Sequence, residues 1–360
     1  MSERGRTNAR AAALRAAFER EGAQVVEPPL LQSAETLLDL YGEDIRARAY
    51  VTSDALRGEQ MLRPDFTVPV VQMHMTGGAE PARYTYAGEV FRRQERDPGR
   101  ANEYVQVGYE VFDRADPAAA DAEVFALIAG QLEGLDVRPV TGDIGILMAA
   151  VAGLDTLPAR KAALMRHIWR PRRFRALLER YAGGAAPSAA RQAVLDGTCR
   201  TDAPLNGKRR ADEIEARVAA LRADQAAPPV SGAQVALLER LLEVRGTLPV
   251  ALEQLRALAG DMPAIADAVE RVAQRQAALA ARGIDVEALA FEADYGRTSM
   301  EYYDGFVFGF RARGRSDLPA IASGGRYDAL TRRLGQGAEI PAVGGVMRPG
   351  LMLLLDGESR

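Results

Sequence analysis

The 360-residue sequence predicts an α+β fold, an antiparallel sheet flanked by helices and interrupted by a helical insertion. Three observations carry that expectation. Between about residues 60 and 115 the runs YTYAGEVF and EYVQVGYEVF flank the charged stretch RRQERDPGRAN, which reads as an antiparallel hairpin with a long connection. Between about 155 and 285 the chain turns rich in alanine, leucine and arginine. There Ile214, Val218 and Leu221, and again Leu252, Leu255 and Leu258, follow helical spacing. After 290, β-like text returns in EYYDGFVFGF, a glycine turn SGGRYDAL and the apolar run LMLLL. Residues 1–150 and 286–360 are therefore expected to form one discontinuous domain, and 151–285 a mostly helical insertion.

Taken in order, residues 8–21 set Leu14 and Phe18 at helical spacing and predict an opening helix. VVEPPLL follows as a strand stopped by Pro28 and Pro29. In EYVQVGYEVF side chains alternate, so Gln106, Gly108 and Glu110 share one face while Val105, Val107, Tyr109 and Val111 share the other. The outer two polar residues lie about 13 Å apart at roughly 3.3 Å per residue. The glycine removes the side chain between them and leaves a floor for a small polar ligand with one hydrogen-bonding group at each end. A β-bulge on an ordinary wet sheet face has the same pattern. Breaks at Gly183-Gly184 and Pro228-Pro229 divide the helical block. EYYDGFVFGF then puts Tyr303, Gly305, Val307 and Gly309 on one face, clearing space beside an aromatic hydroxyl, although Tyr302 and Tyr303 also suit plain strand positions. The turn SGGRYD brings Gly324 and Gly325 beside Arg326 and Tyr327, where a ligand can approach the main chain or the chain simply turns.

Composition narrows the function classes. With 48% apolar and 26% charged residues the chain is an ordinary globular protein. A net charge of -3 and a pI of 5.7 give no global attraction to nucleic acid or an anionic membrane. A single cysteine, Cys199, cannot form an internal disulfide, and His74 and His167 stand far apart without ligand neighbours. No structural metal is expected, and the setting is a reducing cytoplasm. The charged, alanine-rich N-terminus lacks an apolar signal core, and no stretch approaches ~18 uninterrupted apolar residues, so neither secretion nor membrane spanning is expected.

The strings MLRPDFTVPV, FRRQERDPGRANEYVQVGYEVF, EYYDGFVF and ASGGRYDALTRRLGQGAEIPAVGG resemble, in order and spacing, the catalytic domain of histidyl-tRNA synthetase, a class II aminoacyl-tRNA synthetase. GAQVVEPPLL is similar to the first class II motif, which forms the dimer interface in that family. The resemblance covers most of residues 8–355, with the helical middle matched by position and character alone. It implies a class II aminoacyl-tRNA synthetase-like sheet carrying a histidine pocket. In that pocket Asp65 meets the ammonium, one methylene shorter than the family's usual glutamate, and Thr67 belongs to the same set. Gln106 and Glu110 read the imidazole, Tyr302 and Tyr303 flank the ring, and Arg92 meets the carboxylate unless it is a solvated member of the hairpin loop. Arg100, Gly324, Gly325, Arg326 and Tyr327 are implied as a pocket loop.

The ATP side departs from the family. Forming an aminoacyl adenylate needs cations aimed at the ATP phosphates. Arg92 keeps the second-motif position, but PAVGGVMRPGL brings Leu351 to the place of the third-motif arginine. RTSMEYY has Thr298 where another catalytic arginine stands, with Arg297 displaced by one, while Gln94 and Gly309 replace glutamates. Arg348 is the nearby cation available to compensate. Losing one transition-state donor costs about 10²–10³ in rate, so ATP-dependent activation, catalytic residues and cofactors are not expected. The chain ends at Arg360 without the family's anticodon-binding domain, and tRNA is not expected as a partner.

Together these features resemble the regulatory subunit of short-form ATP phosphoribosyltransferase, a histidyl-tRNA synthetase paralogue in histidine biosynthesis. That resemblance implies a cytoplasmic, noncatalytic chain that assembles with the short catalytic subunit, is required for its activity and transmits feedback inhibition by L-histidine. It further implies homodimers within a hetero-octamer, with histidine in the synthetase-like pocket or at a subunit interface. A truncated histidyl-tRNA synthetase-like enzyme, and a transferase or ligase module using ATP with another nucleophile, remain as alternatives.

Overall fold

The computed structural model of the chain describes residues 2–41, 45–94, 100–184, 187–199, 207, 209–297 and 301–358. A helix, Glu3–Arg20, opens the fold; the Ser2 hydroxyl accepts the Gly5 N–H at its start, and Leu14 and Phe18 are buried as their spacing predicts. The strands follow as β1 (Gln24–Val25), β2 (Leu31–Ser33), β3 (Val51–Asp54), β4 (Gly58–Leu62), β5 (Ala82–Phe91), β6 (Glu103–Phe112) and β7 (Val137–Asp143). After a long helical stretch come β8 (Arg245–Thr247), β9 (Ala290–Glu292), β10 (Phe306–Ala312), β11 (Ala322–Arg326) and β12 (Ala342–Met347). Nine of these form one sheet in the order β1-β5-β6-β12-β11-β10-β7-β9-β8, and β2-β4-β3 form a small second sheet. Among the described residues, parallel pairing is confined to β1–β5 and β7–β9. The hairpin expected from the two aromatic runs is present, with β5 and β6 paired from Ala82↔Phe112 to Phe91↔Glu103.

Three expectations change. Ala322–Arg326 is a strand rather than a turn. Gly324 pairs with Gly345 and Gly325 with Gly344 across β12, and a Cβ on Gly324 would overlap both the Gly344 carbonyl and the Phe308 ring. The glycines serve close strand packing here, not a left-handed turn. The run LMLLL lies in a helix, Pro349–Glu358, whose first residue is proline with its φ already suited to helix; Met352 and Leu355 are buried three residues apart. EYYDGFVFGF becomes strand at Phe306, so Tyr302 and Tyr303 sit in the turn before β10 instead of on its faces.

The block between β7 and β9 contains the helices Pro158–Met165, Pro171–Tyr181, Ala211–Ala226, Leu248–Asp261 and Ala266–Ala281, and the edge strand β8. Leu252, Leu255 and Leu258 are buried on one helix face, as their spacing predicts. Ile214, Val218 and Leu221 also lie on a helix, but Ala211–Ala226 buries none of its residues. That helix is tied down near its end instead, where Asp224 pairs with Arg160 (2.6 Å) and Arg191 (3.2 Å).

A continuous apolar core runs from Leu14 through the sheet to Leu279. Buried ion pairs join the helices to the sheet. Arg275, on Ala266–Ala281, reaches Asp121 (2.8 Å) on the helix Pro117–Gly130 and Asp143 (2.9 Å) at the end of β7, and Arg326 on β11 reaches Asp121 from the other side (2.7 Å). No helix among the described residues is long and apolar enough to cross a membrane.

Candidate functional site

Alternation along β6 does put Gln106, Gly108 and Glu110 on one face, yet the gap at Gly108 is not an open floor. Tyr86 stands opposite Gly108 in the β5–β6 register, and a Cβ on that glycine would overlap its ring and hydroxyl. The ring lies across the gap, stacked on Phe66 at 4.2 Å and 8°, and its hydroxyl donates to Glu110 Oε1 at 2.7 Å. A glycine across from a large aromatic is thus a slot for that aromatic, and only the hairpin register reveals it. The same correction applies on β10. A Cβ on Gly305 would come within 3.1 Å of Arg326 Cδ, and one on Gly309 would overlap the Tyr295 hydroxyl, so both glycines house protein side chains.

Glu110 is the centre of the cluster. Besides Tyr86, the Thr67 hydroxyl donates to Oε1 (3.1 Å) and the Tyr327 hydroxyl to Oε2 (2.6 Å). Burial pushes its carboxyl up to about 7, against the downward pull of those three hydroxyls. The group therefore changes charge near neutral pH. Nearby, Asp65 is buried and accepts the Tyr41 hydroxyl at Oδ2 (2.8 Å) and the Val68 N–H at Oδ1 (3.3 Å), which caps the first turn of the helix Thr67–Met75. Tyr302 and Tyr303 pack edge to face (4.9 Å, 72°), and Tyr302 also meets Tyr41 at 5.9 Å and Tyr327 at 6.1 Å. A box of four tyrosines thus joins Asp65 to Glu110. Gln106 is buried on the same strand face as Glu110, and its Oε1 has no hydrogen-bond partner among the described residues.

A cavity of about 1000 Å³ adjoins this cluster, with Asp65, Arg92, Arg100, Tyr104, Arg348 and Leu351 in its wall. Gln106, Glu110, Tyr302 and Tyr303 are not in that wall. Asp65, itself buried, thus shares the cavity wall with Arg92, Arg100 and Arg348, while Glu110 is packed among the tyrosines. Arg92 Nε donates to the Pro64 carbonyl (2.7 Å), next to Asp65 in the chain, and Arg100 donates to the Asp317 carbonyl (3.2 Å). Such a wall suits a zwitterion, its ammonium toward Asp65 and its carboxylate toward the guanidinium groups.

Other expected positions are placed elsewhere. The Arg326 guanidinium turns away from the cavity to Asp121 and to Asp328 (3.0 Å), Gly324 packs against Phe308, and Gly325 lies under Tyr303, a Cβ there coming within 2.8 Å of its ring. Thr298 lies outside the described residues. Arg297 is buried in the helical block, its Nε donating to the Ile168 carbonyl (2.9 Å) and its guanidinium 5.0 Å from the Phe174 ring centre. Leu351 is half-buried at the start of its helix, and Gln94 is tied to the hairpin connection, its N–H donating to Asn102 Oδ1 (3.0 Å). Arg348 donates to the Ala320 carbonyl (2.6 Å) and lies 5.5 Å from the Tyr104 ring centre. Burial, then the like charges of Arg92 and Arg100, lower its proton affinity. Sequence reasoning missed Tyr41, Tyr86 and Tyr104; of these, Tyr86 had a usable signal in its position across a hairpin from a glycine.

A family profile described as histidyl-tRNA synthetase matches residues 2–223 and 214–349. The ATP phosphoribosyltransferase regulatory subunit of Brucella anthropi is 30% identical over 355 residues, spanning 92% of this chain and 93% of its own. The protein of the same name from Agrobacterium fabrum is 34% identical over 346 residues, 89% of each chain. Among solved structures, an ATP phosphoribosyltransferase regulatory subunit/histidyl-tRNA synthetase from Bacillus halodurans superposes with a TM-score of 0.69 at 22% identity, covering 99% of this chain and 80% of its own. A histidyl-tRNA synthetase from a Nostoc species gives 0.65 at 18% identity, covering 99% and 73%.

Proposed function

The chain belongs to the histidyl-tRNA synthetase family and, within it, to the ATP phosphoribosyltransferase regulatory subunits, and on that footing we propose that it is the noncatalytic partner of a short-form ATP phosphoribosyltransferase catalytic chain. In this role it acts in the cytoplasm at the first step of L-histidine biosynthesis. It is required for the catalytic chain's activity and mediates feedback by histidine within a hetero-octamer built on homodimers. The observation that carries the reading is the asymmetry of the cavity. Asp65 and Arg92 are in its wall, which suits an amino acid, whereas Leu351 stands at the third-motif position in the same wall and Arg297 is buried against Phe174, outside it.

The regulation is thermodynamic. Histidine shifts the assembly only by the difference in its affinity for two conformations, and the catalytic chain responds to that shift. Glu110 supplies a source of such a difference. It is buried behind Tyr86 and Tyr327, whose hydroxyls it accepts, so an imidazole N–H reaches it only when a tyrosine moves aside. Tyr327 immediately precedes the helix Asp328–Leu334, so its displacement is passed to that helix.

Reconstitution tests the reading. Catalytic chain alone, with this chain, and with this chain plus histidine should give little activity, full activity and inhibited activity, in that order. Histidine-dependent ATP–pyrophosphate exchange by the pure chain at an enzymatic rate would overturn the proposal in favour of a synthetase.

A further inference from the structure

We propose that the corner joining the helices Pro158–Met165 and Pro171–Tyr181 is the docking surface for a carboxylate-rich face of the catalytic chain. The proposal rests on the regulatory-subunit reading and adds the place of contact. Residues 160–180 carry eight arginines and lysines and one acid, Glu179, in a chain whose net charge is -3. Two of the cations are paired within the chain, Arg160 with Asp224 (2.6 Å) and the partly exposed Arg170 with Glu301 (3.3 Å). Arg166, Arg172, Arg173 and Arg175 are exposed and have no ion pair among the described residues.

Two features accompany this crowding. Burial, and then Arg170, Arg173 and Arg166, hold the His167 imidazole below its ordinary value, so the guanidinium groups act together on one small region. Arg172 and Arg173 also occupy the first turn of Pro171–Tyr181, with no acid there, where the helix dipole opposes positive charge. The helix keeps its place because Phe174, Leu178 and Tyr181 are buried beneath it. Cations held on a rigid element against both the dipole and one another are matched to an external anion.

A folded partner fits better than a long polyanion. The basic surface spans one helix corner, and the remainder of the chain holds the acidic excess, which repels nucleic acid extending past the corner. A protein needs complementary charge over that corner alone. The corner is also tied to the tyrosine box: Arg170 holds Glu301, next to Tyr302, and Ile168 and Phe174 hold Arg297.

The test replaces Arg172, Arg173 and Arg175 by glutamate together, with the triple lysine variant as a charge-preserving control. Glutamate suits the helix dipole, and a thermal melt checks folding. Each chain is titrated into the purified catalytic chain by calorimetry at low and moderate salt, with sedimentation of each chain alone. The expected result is a Kd weakened by about tenfold or more in the glutamate variant, near wild type in the lysine variant, and rising with salt for wild type. Glutamate and wild-type chains binding alike would overturn the docking surface and leave the regulatory reading standing. A wild-type chain that fails to bind would overturn both. If the glutamate variant loses self-association and keeps the catalytic chain, the corner belongs to a second copy and the proposal is wrong.

Discussion

Replacing Gly108 by alanine separates a slot for Tyr86 from a floor for a ligand. The added methyl would overlap Tyr86 Cζ and its hydroxyl oxygen, where carbon contacts need about 3.5 Å. The ring has no free direction in which to retreat. Phe66 is stacked on it at 4.2 Å, and the Glu110 carboxylate holds its hydroxyl at 2.7 Å. Overpacking of this kind costs about 1–3 kcal/mol, and losing a hydrogen bond costs about 0.5–1.5 kcal/mol. The variant should therefore lose about 2–4 kcal/mol, a large fraction of the stability of an ordinary domain. Urea unfolding of wild type, Gly108→Ala, Tyr86→Ala and the double variant measures this as a cycle. In the Tyr86→Ala background the glycine substitution should cost under about 1 kcal/mol, because the overlap has gone. Wild-type stability of Gly108→Ala combined with lost histidine binding would refute the reasoning and return the gap to the ligand.

Three further predictions follow from the same cluster and its surroundings. The Glu110 carboxyl, raised by burial to about 7 from its ordinary 4.5, keeps its proton in the folded chain between those pH values while the unfolded chain has lost it. Its ionisation therefore lowers stability as pH rises through that window, by up to about 3 kcal/mol at 1.36 kcal/mol per unit. Glu110→Gln should remove this part of the pH 5 to pH 8 difference in unfolding free energy, and equal differences in the two chains would count against it. Arg326→Met leaves Asp121 and Asp328 short of a buried partner and should cost about 3–5 kcal/mol, read from the unfolding midpoint. Glu301→Gln opens a partly exposed pair with Arg170 and should cost under about 1 kcal/mol. It should nonetheless shift the histidine inhibition curve of the reconstituted enzyme several-fold, because the pair adjoins Tyr302; an unmoved curve would argue against that link.

Period and position were readable along single elements. The alternation of Gln106, Gly108 and Glu110 and the helical spacing of Leu252, Leu255 and Leu258 both hold, since each depends on one strand or one helix. What failed depended on partners distant in the chain. Tyr86 fills a glycine slot through strand register, Tyr295 fills another from the turn after β9, and Asp121 captures an arginine more than two hundred positions later. The pair Gly324-Gly325 has the local chemistry of a turn, but pairing with Gly345 and Gly344 keeps it extended. LMLLL, uniformly apolar, contains no period to distinguish strand from helix. Ile214, Val218 and Leu221 gave the correct conformation and the wrong burial, because periodicity does not say whether a neighbour exists to cover the stripe.

Where β11 and β12 run side by side, four glycines present naked main chain to the interior, and a methyl on Gly344 would strike the Glu110 carboxylate. Any substitution there adds bulk that the neighbours cannot accept, so this wall cannot be remodelled residue by residue. Changes in what the recess admits must come from the tyrosines around it. The mould is thus set by the main chain, and what it holds is set by the aromatic side chains that close over it.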